Sequence, residues 1–177
     1  IASIILVLWI WLTGGLHLDG LADTSDAWVG GFGDPERTLK IMKDPACGPI
    51  GVLSLIVVCL LKFAALYVLI EQHLNVFLIL IPAIGRSVAL LLFLTTEYVR
   101  AEGLGSSITD SIPKRVTWIV FEWLGLIAFV CFLGLAFYLR RLFIQRIGGI
   151  TGDTIGAAIE LIEMSVLLSF VMASFYI

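Results

Sequence analysis

Three aspartates, Asp19, Asp23 and Asp26, fall within eight residues of a chain that is otherwise mostly apolar. In a helix they take positions i, i+4 and i+7 and lie within roughly 60° of one another. Like charges at that spacing repel. A divalent cation, which prefers carboxylate oxygens, removes the repulsion. His17 opens the same stretch, either as a base or ligand or as an ordinary hydrogen-bonded interfacial histidine. A second acidic stripe follows at Asp153, Glu160 and Glu163, spaced i, i+7 and i+10, with Gly156 and Ala157 between. Small residues there let a neighbour approach closely. Arg86 and Lys62 sit within apolar runs, where each can bind a phosphate or serve as a counter-ion. The acids of the second stripe can equally pair with these two cations and simply hold helices together. Lys43, Asp44 and Arg100 stand at helix ends, and Glu122 near a span end is placed to reach the interface.

The elements that must position these groups are membrane helices. The chain of 177 residues is 60% hydrophobic and 14% charged, with a mean hydropathy of +1.07. That is well above the roughly 45–50% apolar content of a soluble domain. Helices satisfy their own backbone in lipid, so the expected fold is all-α: a polytopic transmembrane bundle with an acidic interfacial loop, one domain over 1–177. The formal net charge of −3 argues against a nucleic-acid partner. Cys47, Cys59 and Cys131 lack the close spacing of a zinc site or redox pair and read as packing residues. With no Met and no basic n-region before its apolar start, the chain reads as a fragment beginning inside a span.

Ile1 to Leu12 is expected to end a first span, closed by Gly14-Gly15. Residues 15–47 form the one long polar stretch and hold six acids: Asp19, Asp23, Asp26, Asp34, Glu36 and Asp44. The run Gly30-Gly31-Phe32-Gly33-Asp34-Pro35 breaks it. Pro35 then suits the first turn of a short amphipathic helix, Glu36 to Lys43. Gly51 to Ile70 is about one bilayer crossing. Val76 to Thr96 is another, broken near Pro82 and Gly85. Trp118 to Leu139 and Ile155 to Ile177 are expected to be two more.

Lysines and arginines in short loops orient such a chain. Residues 15–47 carry Arg37, Lys40 and Lys43, residues 71–75 carry none, and residues 99–116 carry Arg100, Lys114 and Arg115. That places the aspartate loop in the cytoplasm. Loop 140–153 carries Arg140, Arg141 and Arg146, yet counting spans puts it outside, so the simple count fails somewhere.

Two function classes fit these features. One is a metal-dependent enzyme acting on a phosphorylated, partly lipophilic substrate. The other is a cation or proton transporter with a carboxylate relay. Aspartates clustered in an interfacial loop favour the enzyme, because a transporter keeps its acids near the midplane on broken helices.

Several motifs, taken in order, resemble the cobalamin synthase family of adenosylcobinamide-GDP ribazoletransferases. They are His17-Leu18-Asp19-Gly20-Leu21-Ala22-Asp23-Thr24-Ser25-Asp26, then Ile41-Met42-Lys43-Asp44 with Gly48 and Gly51, and then Arg86. Arg100-Ala101-Glu102-Gly103-Leu104-Gly105 follows, and Gly148-Gly149-Ile150-Thr151-Gly152-Asp153-Thr154-Ile155-Gly156-Ala157 with Glu160 ends the series. The resemblance implies an integral enzyme of the bacterial cytoplasmic (inner) membrane with its site facing the cytoplasm. Its substrates are adenosylcobinamide-GDP and α-ribazole or α-ribazole 5′-phosphate, its released product is GMP, and its cofactor is Mg²⁺. On this reading Asp19, Asp23, Asp26 and Asp153 hold the metal, and Asp19, Asp23 and His17 are catalytic. Lys43, Asp44, Arg86, Arg100, Thr151, Glu160 and Glu163 bind substrate and phosphate. The family's chains begin earlier, and they have room for two apolar segments where this chain has only Trp118–Leu139. An amino-terminal region and a span between about residues 116 and 140 are therefore expected to be missing, which would return loop 140–153 to the cytoplasm. A CDP-alcohol phosphotransferase-like enzyme is the nearest alternative, but its pattern wants an Asp-Gly pair followed by Ala-Arg and two later spaced aspartates, whereas here Asp19-Gly20 leads into Leu21-Ala22-Asp23 with no arginine.

Overall fold

The computed structural model describes residues 1–100 and 126–175, and among these it has seven helices and no strand. They are α1 (Ala2–Leu12), α2 (Leu16–Gly30), α3 (Pro35–Ile41), α4 (Pro49–Glu71), α5 (Phe77–Thr95), α6 (Leu126–Ile147) and α7 (Gly152–Ser174). The helices α4, α5 and α7 are long and apolar enough to cross a bilayer, which makes this an integral membrane protein. Their outward faces are apolar, as at Leu53, Ile56 and Leu60 of α4 and Ile79 of α5. The motif from Ala101 to Gly105, Glu122 and the start of the expected Trp118 span lie outside the described residues.

The polar helix α2 is set at 83° to α1. Gly14 and Gly15 make the corner at φ +61° and +73°, a region where residues with a Cβ are strained. Gly15 N–H donates to Ile10 O at 3.1 Å and Gly14 N–H to Trp11 O at 3.0 Å. These are the two bonds of a Schellman ending. We read α2 as an interfacial helix, because its face between α4 and α7 is buried while Leu16, Asp19 and Val29 are exposed.

Two close backbone approaches seat α2 on α7. A Cβ on Gly20 would lie 2.7 Å from Asp153 O, and one on Gly156 would lie 3.1 Å from His17 O. The core beneath is built from Leu66, Leu69, Ile81, Val88, Leu92, Ile162 and Leu167, all fully buried.

Three expectations change. The helix α5 runs unbroken through Pro82 and Gly85. Proline removes one backbone bond there, and Arg86 Nη1 donates to Pro82 O at 3.0 Å. The helix α6 continues past Leu139 to Ile147, because its arginines find acceptors at helix ends: Arg140 Nε donates to Thr95 O at 3.1 Å. Arg146 stacks over the Trp28 ring at 5.6 Å. The short helix α3 starts at Pro35, where Asp34 caps it by accepting Glu36 N–H at 3.0 Å, and stops at Ile41. Val99 N–H donates to Ile150 O and Ile150 N–H to Glu97 O, both at 2.9 Å. Residues 97–100 and 148–153 therefore share one end of the bundle, as expected once the simple span count had failed.

Candidate functional site

The aspartate helix α2 forms one wall of an open cleft of about 690 Å³, and the turn after α3 forms the other. Asp19 and Asp23 stand on the first wall, and Lys43, Asp44 and Cys47 on the second. Asp44 also holds its own turn, its Oδ1 accepting Ala46 N–H at 3.0 Å. Because Gly20 packs on the Asp153 backbone, the first turn of α7 arrives beside Asp19 and Asp23. The two acidic stripes therefore meet at this point. Asp153 is paired with Arg100, whose Nη2 donates to its Oδ2 at 2.7 Å.

Electrostatics record the crowding. Partial burial pushes the Asp23 carboxyl up to about 6, and the negative charges of Asp19, Asp153 and Asp26 push the same way while Arg100 opposes them. Asp26 contributes only this field, since it does not line the cleft. Its Oδ2 accepts Gly48 N–H at 2.7 Å and its Oδ1 accepts Gly51 N–H at 2.8 Å. Among the described residues no three His, Cys, Asp or Glu side chains close into a ready ligand set. Asp19 and Asp23 nevertheless suit Mg²⁺, which keeps its waters and takes one or two carboxylates plus substrate phosphates.

The other expected site residues lie elsewhere. Lys62 Nζ donates to Glu160 Oε2 and to Glu163 Oε2, both at 2.6 Å, with all three side chains at most 5% exposed. Arg86 Nη1 reaches Glu163 Oε1 at 3.4 Å while its side chain stays 45% exposed. Trp9 lies over Lys62, its ring centroid 5.2 Å from Nζ. This cluster uses Glu160, Glu163, Lys62 and Arg86 to join α4, α5 and α7.

His17 is not on the cleft wall. Burial lowers its pKa, with Glu160 opposing and Arg86 and Lys62 adding to the shift. Its Nδ1 is buried with no partner among the described residues. Thr151 is fully buried and caps α7: its Oγ1 accepts Thr154 N–H at 3.2 Å, and Thr154 Oγ1 accepts Thr151 N–H at 2.8 Å. That reciprocal cap starts α7 three residues before the expected Ile155.

Sequence reasoning missed three features. Cys47 was expected to be a packing residue, but it is exposed on the cleft wall because the turn after α3 carries it clear of the helices. Gly20 and Gly156 set the crossing of α2 and α7, which their small size in two acid-bearing helices could have signalled. Tyr98 pairs the Glu97–Val99 strand-like segment with Ile150, and no local pattern announces that.

The comparisons with known proteins are consistent along the whole chain. A family model described as cobalamin-5-phosphate synthase matches residues 1–171. A protein named adenosylcobinamide-GDP ribazoletransferase from Acinetobacter baumannii (strain ACICU) is 62% identical over 187 residues, covering 100% of this chain and 76% of the relative. Proteins of the same name from Ectopseudomonas mendocina (strain ymp) and Pseudomonas fluorescens (strain Pf0-1) are 52% and 51% identical, each covering 97% of this chain and 75% of the relative. No solved structure matches. With its helical membrane fold and its paired acidic helices, the chain belongs to the cobalamin-5-phosphate synthase family.

Proposed function

We propose that this membrane protein joins adenosylcobinamide-GDP to α-ribazole, or to its 5′-phosphate, and releases GMP. The relatives' printed name supports the activity. The single observation that carries the site is the placement of Asp19 and Asp23 beside Asp153 at a cleft whose opposite wall offers Lys43.

In the reaction a ribazole hydroxyl oxygen forms a bond to the corrinoid-linked phosphorus. The phosphoanhydride bond breaks, and GMP leaves with the bonding electrons. A carboxylate of the cleft, Asp19 or Asp23, is placed to take the hydroxyl proton. Lys43 is placed to hold a phosphate oxygen as a point charge. Arg100 pairs with Asp153 at 2.7 Å and so fixes that carboxylate at the start of α7. Asp19 and Asp23 would hold Mg²⁺, which supplies neutralisation of the phosphate charge. The basic residues Arg37, Lys40 and Lys43 support a cytoplasmic position for this end of the bundle by the positive-inside tendency, and the proposed setting is a bacterial inner membrane.

A transporter reading gains nothing from the geometry. The intramembrane acids Glu160 and Glu163 are both bonded to Lys62, so among the described residues they form a closed cluster. The deciding assay supplies purified protein with adenosylcobinamide-GDP, α-ribazole and Mg²⁺ and measures GMP. The expected result is GMP release that depends on both substrates and on the metal. Ion flux in liposomes without GMP release, or diglyceride-dependent CMP release, would overturn it.

A further inference from the structure

Asp26 shares a helix face with Asp19 and Asp23 but has a different environment. Its two oxygens accept the N–H groups of Gly48 and Gly51 at 2.7 and 2.8 Å. Gly48 is the N-cap of α4 and Gly51 lies in its first turn. The amides of a helix start have no partner within the helix, and a carboxylate there also meets the positive end of the helix dipole.

Space explains why both positions are glycine. A Cβ on Gly48 would sit 2.5 Å from Asp26 Oδ1, and one on Gly51 would collide with Oδ2. Conformational freedom does not explain Gly48, whose φ is −83°. The pair forms a cradle cut to the size of a carboxylate. Asp26 faces this cradle and not the cleft, whereas Asp19 and Asp23 line the cleft. These two lie seven and three residues earlier on the same helix, so whatever fixes Asp26 also fixes the rotation and axial position of α2.

We infer that Asp26 is a positioning residue: it latches α2 to the start of α4 through Gly48 and Gly51, and so holds Asp19 and Asp23 at the cleft without joining them as a third ligand. The inference rests on the proposed role of Asp19 and Asp23 as the cation site.

Cys47 supplies a reporter that needs no activity. Its thiol is exposed and lies 4.0 Å from Asp26 Oδ2. The test uses the full chain in detergent with the variants Asp26→Asn, Asp26→Ala, Gly51→Ala and the double variant Asp26→Ala/Gly51→Ala. Maleimide labelling mapped to Cys47, Mn²⁺ binding followed by electron paramagnetic resonance, and kcat are read for each. Asp26→Ala and Gly51→Ala are each expected to change the labelling rate several-fold and to lower kcat by about 10–100-fold, the range for groups that orient ligands. The double variant should lose less than the sum of the two single variants, because the methyl then has no carboxylate to evict and only its contacts with Cys47 Sγ at 3.0 Å and Ala22 O at 3.1 Å remain. Asp26→Asn keeps one acceptor and the side-chain volume, so it should fold and bind Mn²⁺ within about threefold of the parent.

Effects of Gly51→Ala and Asp26→Ala that simply add would overturn the latch. So would loss of Mn²⁺ binding in Asp26→Asn as complete as in Asp19→Asn. If the parent chain binds no Mn²⁺, the cation-site reading fails, while the coupling of Gly51 to Asp26 in Cys47 labelling still decides the latch.

Discussion

The buried cluster sets Lys62 and Arg86 against Glu160 and Glu163, whereas at the cleft edge Asp153 is paired with Arg100 and, among the described residues, Asp19 and Asp23 have no ion-pair partner. The first group is balanced, two cations to two carboxylates, and each acid has a bonded partner. The second carries an excess of negative charge and opens to solvent. Ionisable groups inside a span are functional by default, which would direct attention to the cluster. Charge balance directs it to the cleft, because only an unbalanced group gains from binding a cation or a phosphate-bound metal. The cluster's task is to join three helices. On the proposed function, the cleft stays incomplete until substrate arrives.

The comparison is tested most severely at Lys62. Lys62→Met leaves Glu160 and Glu163 buried with only Arg86 nearby, and removing one partner of a buried ion pair typically costs about 3–5 kcal/mol. The unfolding midpoint in detergent should fall accordingly. Adding Glu160→Gln and Glu163→Gln to the same chain should recover most of the loss, since no buried carboxylate is then left charged and Arg86, 45% exposed, keeps solvent and the Pro82 carbonyl. A Lys62→Met protein as stable as the parent would show that the cluster is not held by charge pairing.

At the cleft the same logic predicts the reverse. Asp19→Asn relieves repulsion, so stability should hold or rise. Transfer to α-ribazole should fall by at least about 100-fold, the scale of removing one electrostatic contributor to a transition state. Kinetics and thermal unfolding of one preparation separate the two effects. Normal turnover in Asp19→Asn would remove Asp19 from the site.

Much of this contrast is legible in the sequence, and the illegible part has a common cause. Composition and apolar run length give the membrane bundle, and the i, i+4, i+7 spacing gives the acidic face of α2. Pro35 marks the start of α3. Spacing, however, reports only that residues share a face. Asp19, Asp23 and Asp26 are equivalent on a helical wheel, and only the position of the α4 amides separates the latch from the cleft. Thr151 carries the same ambiguity, because a hydroxyl before a helix can cap it or bind phosphate. The arginines of α6 look like a span end, yet Arg140 serves the last carbonyl of α5. Each of these depends on a group distant in the chain, which local pattern does not contain.

The raised carboxyl of Asp23 gives the contrast a pH signature. Its pKa moves from 3.8 to about 6, so the folded state holds this proton more tightly than the unfolded chain. The metal-free fold should therefore lose stability as pH rises from about 4 to 6, and the penalty is fully present above 6. A cation competes with the same proton. Its affinity should weaken by up to about tenfold per pH unit below 6 and level off above it. Mn²⁺ titrations between pH 5 and 8 check the sign. Affinity independent of pH would mean that Asp23 is not where the cation binds.

The smallest expected effect sharpens the boundary between the two groups. Thr151 starts the helix that carries both Asp153 and the Glu160–Glu163 pair, and its hydroxyl accepts in the cap while donating to Met42 Sδ at 3.8 Å. Thr151→Ala should cost about 1 kcal/mol in unfolding, and Thr151→Ser should restore it. A cap acts on the fold of α7 and leaves contact with substrate alone, so KM for adenosylcobinamide-GDP should be the same in the serine variant and the parent. If the alanine variant unfolds like the parent but raises KM about tenfold, the hydroxyl contacts substrate. The cleft would then extend beneath Asp153 toward the helix start that this structure assigns to the scaffold.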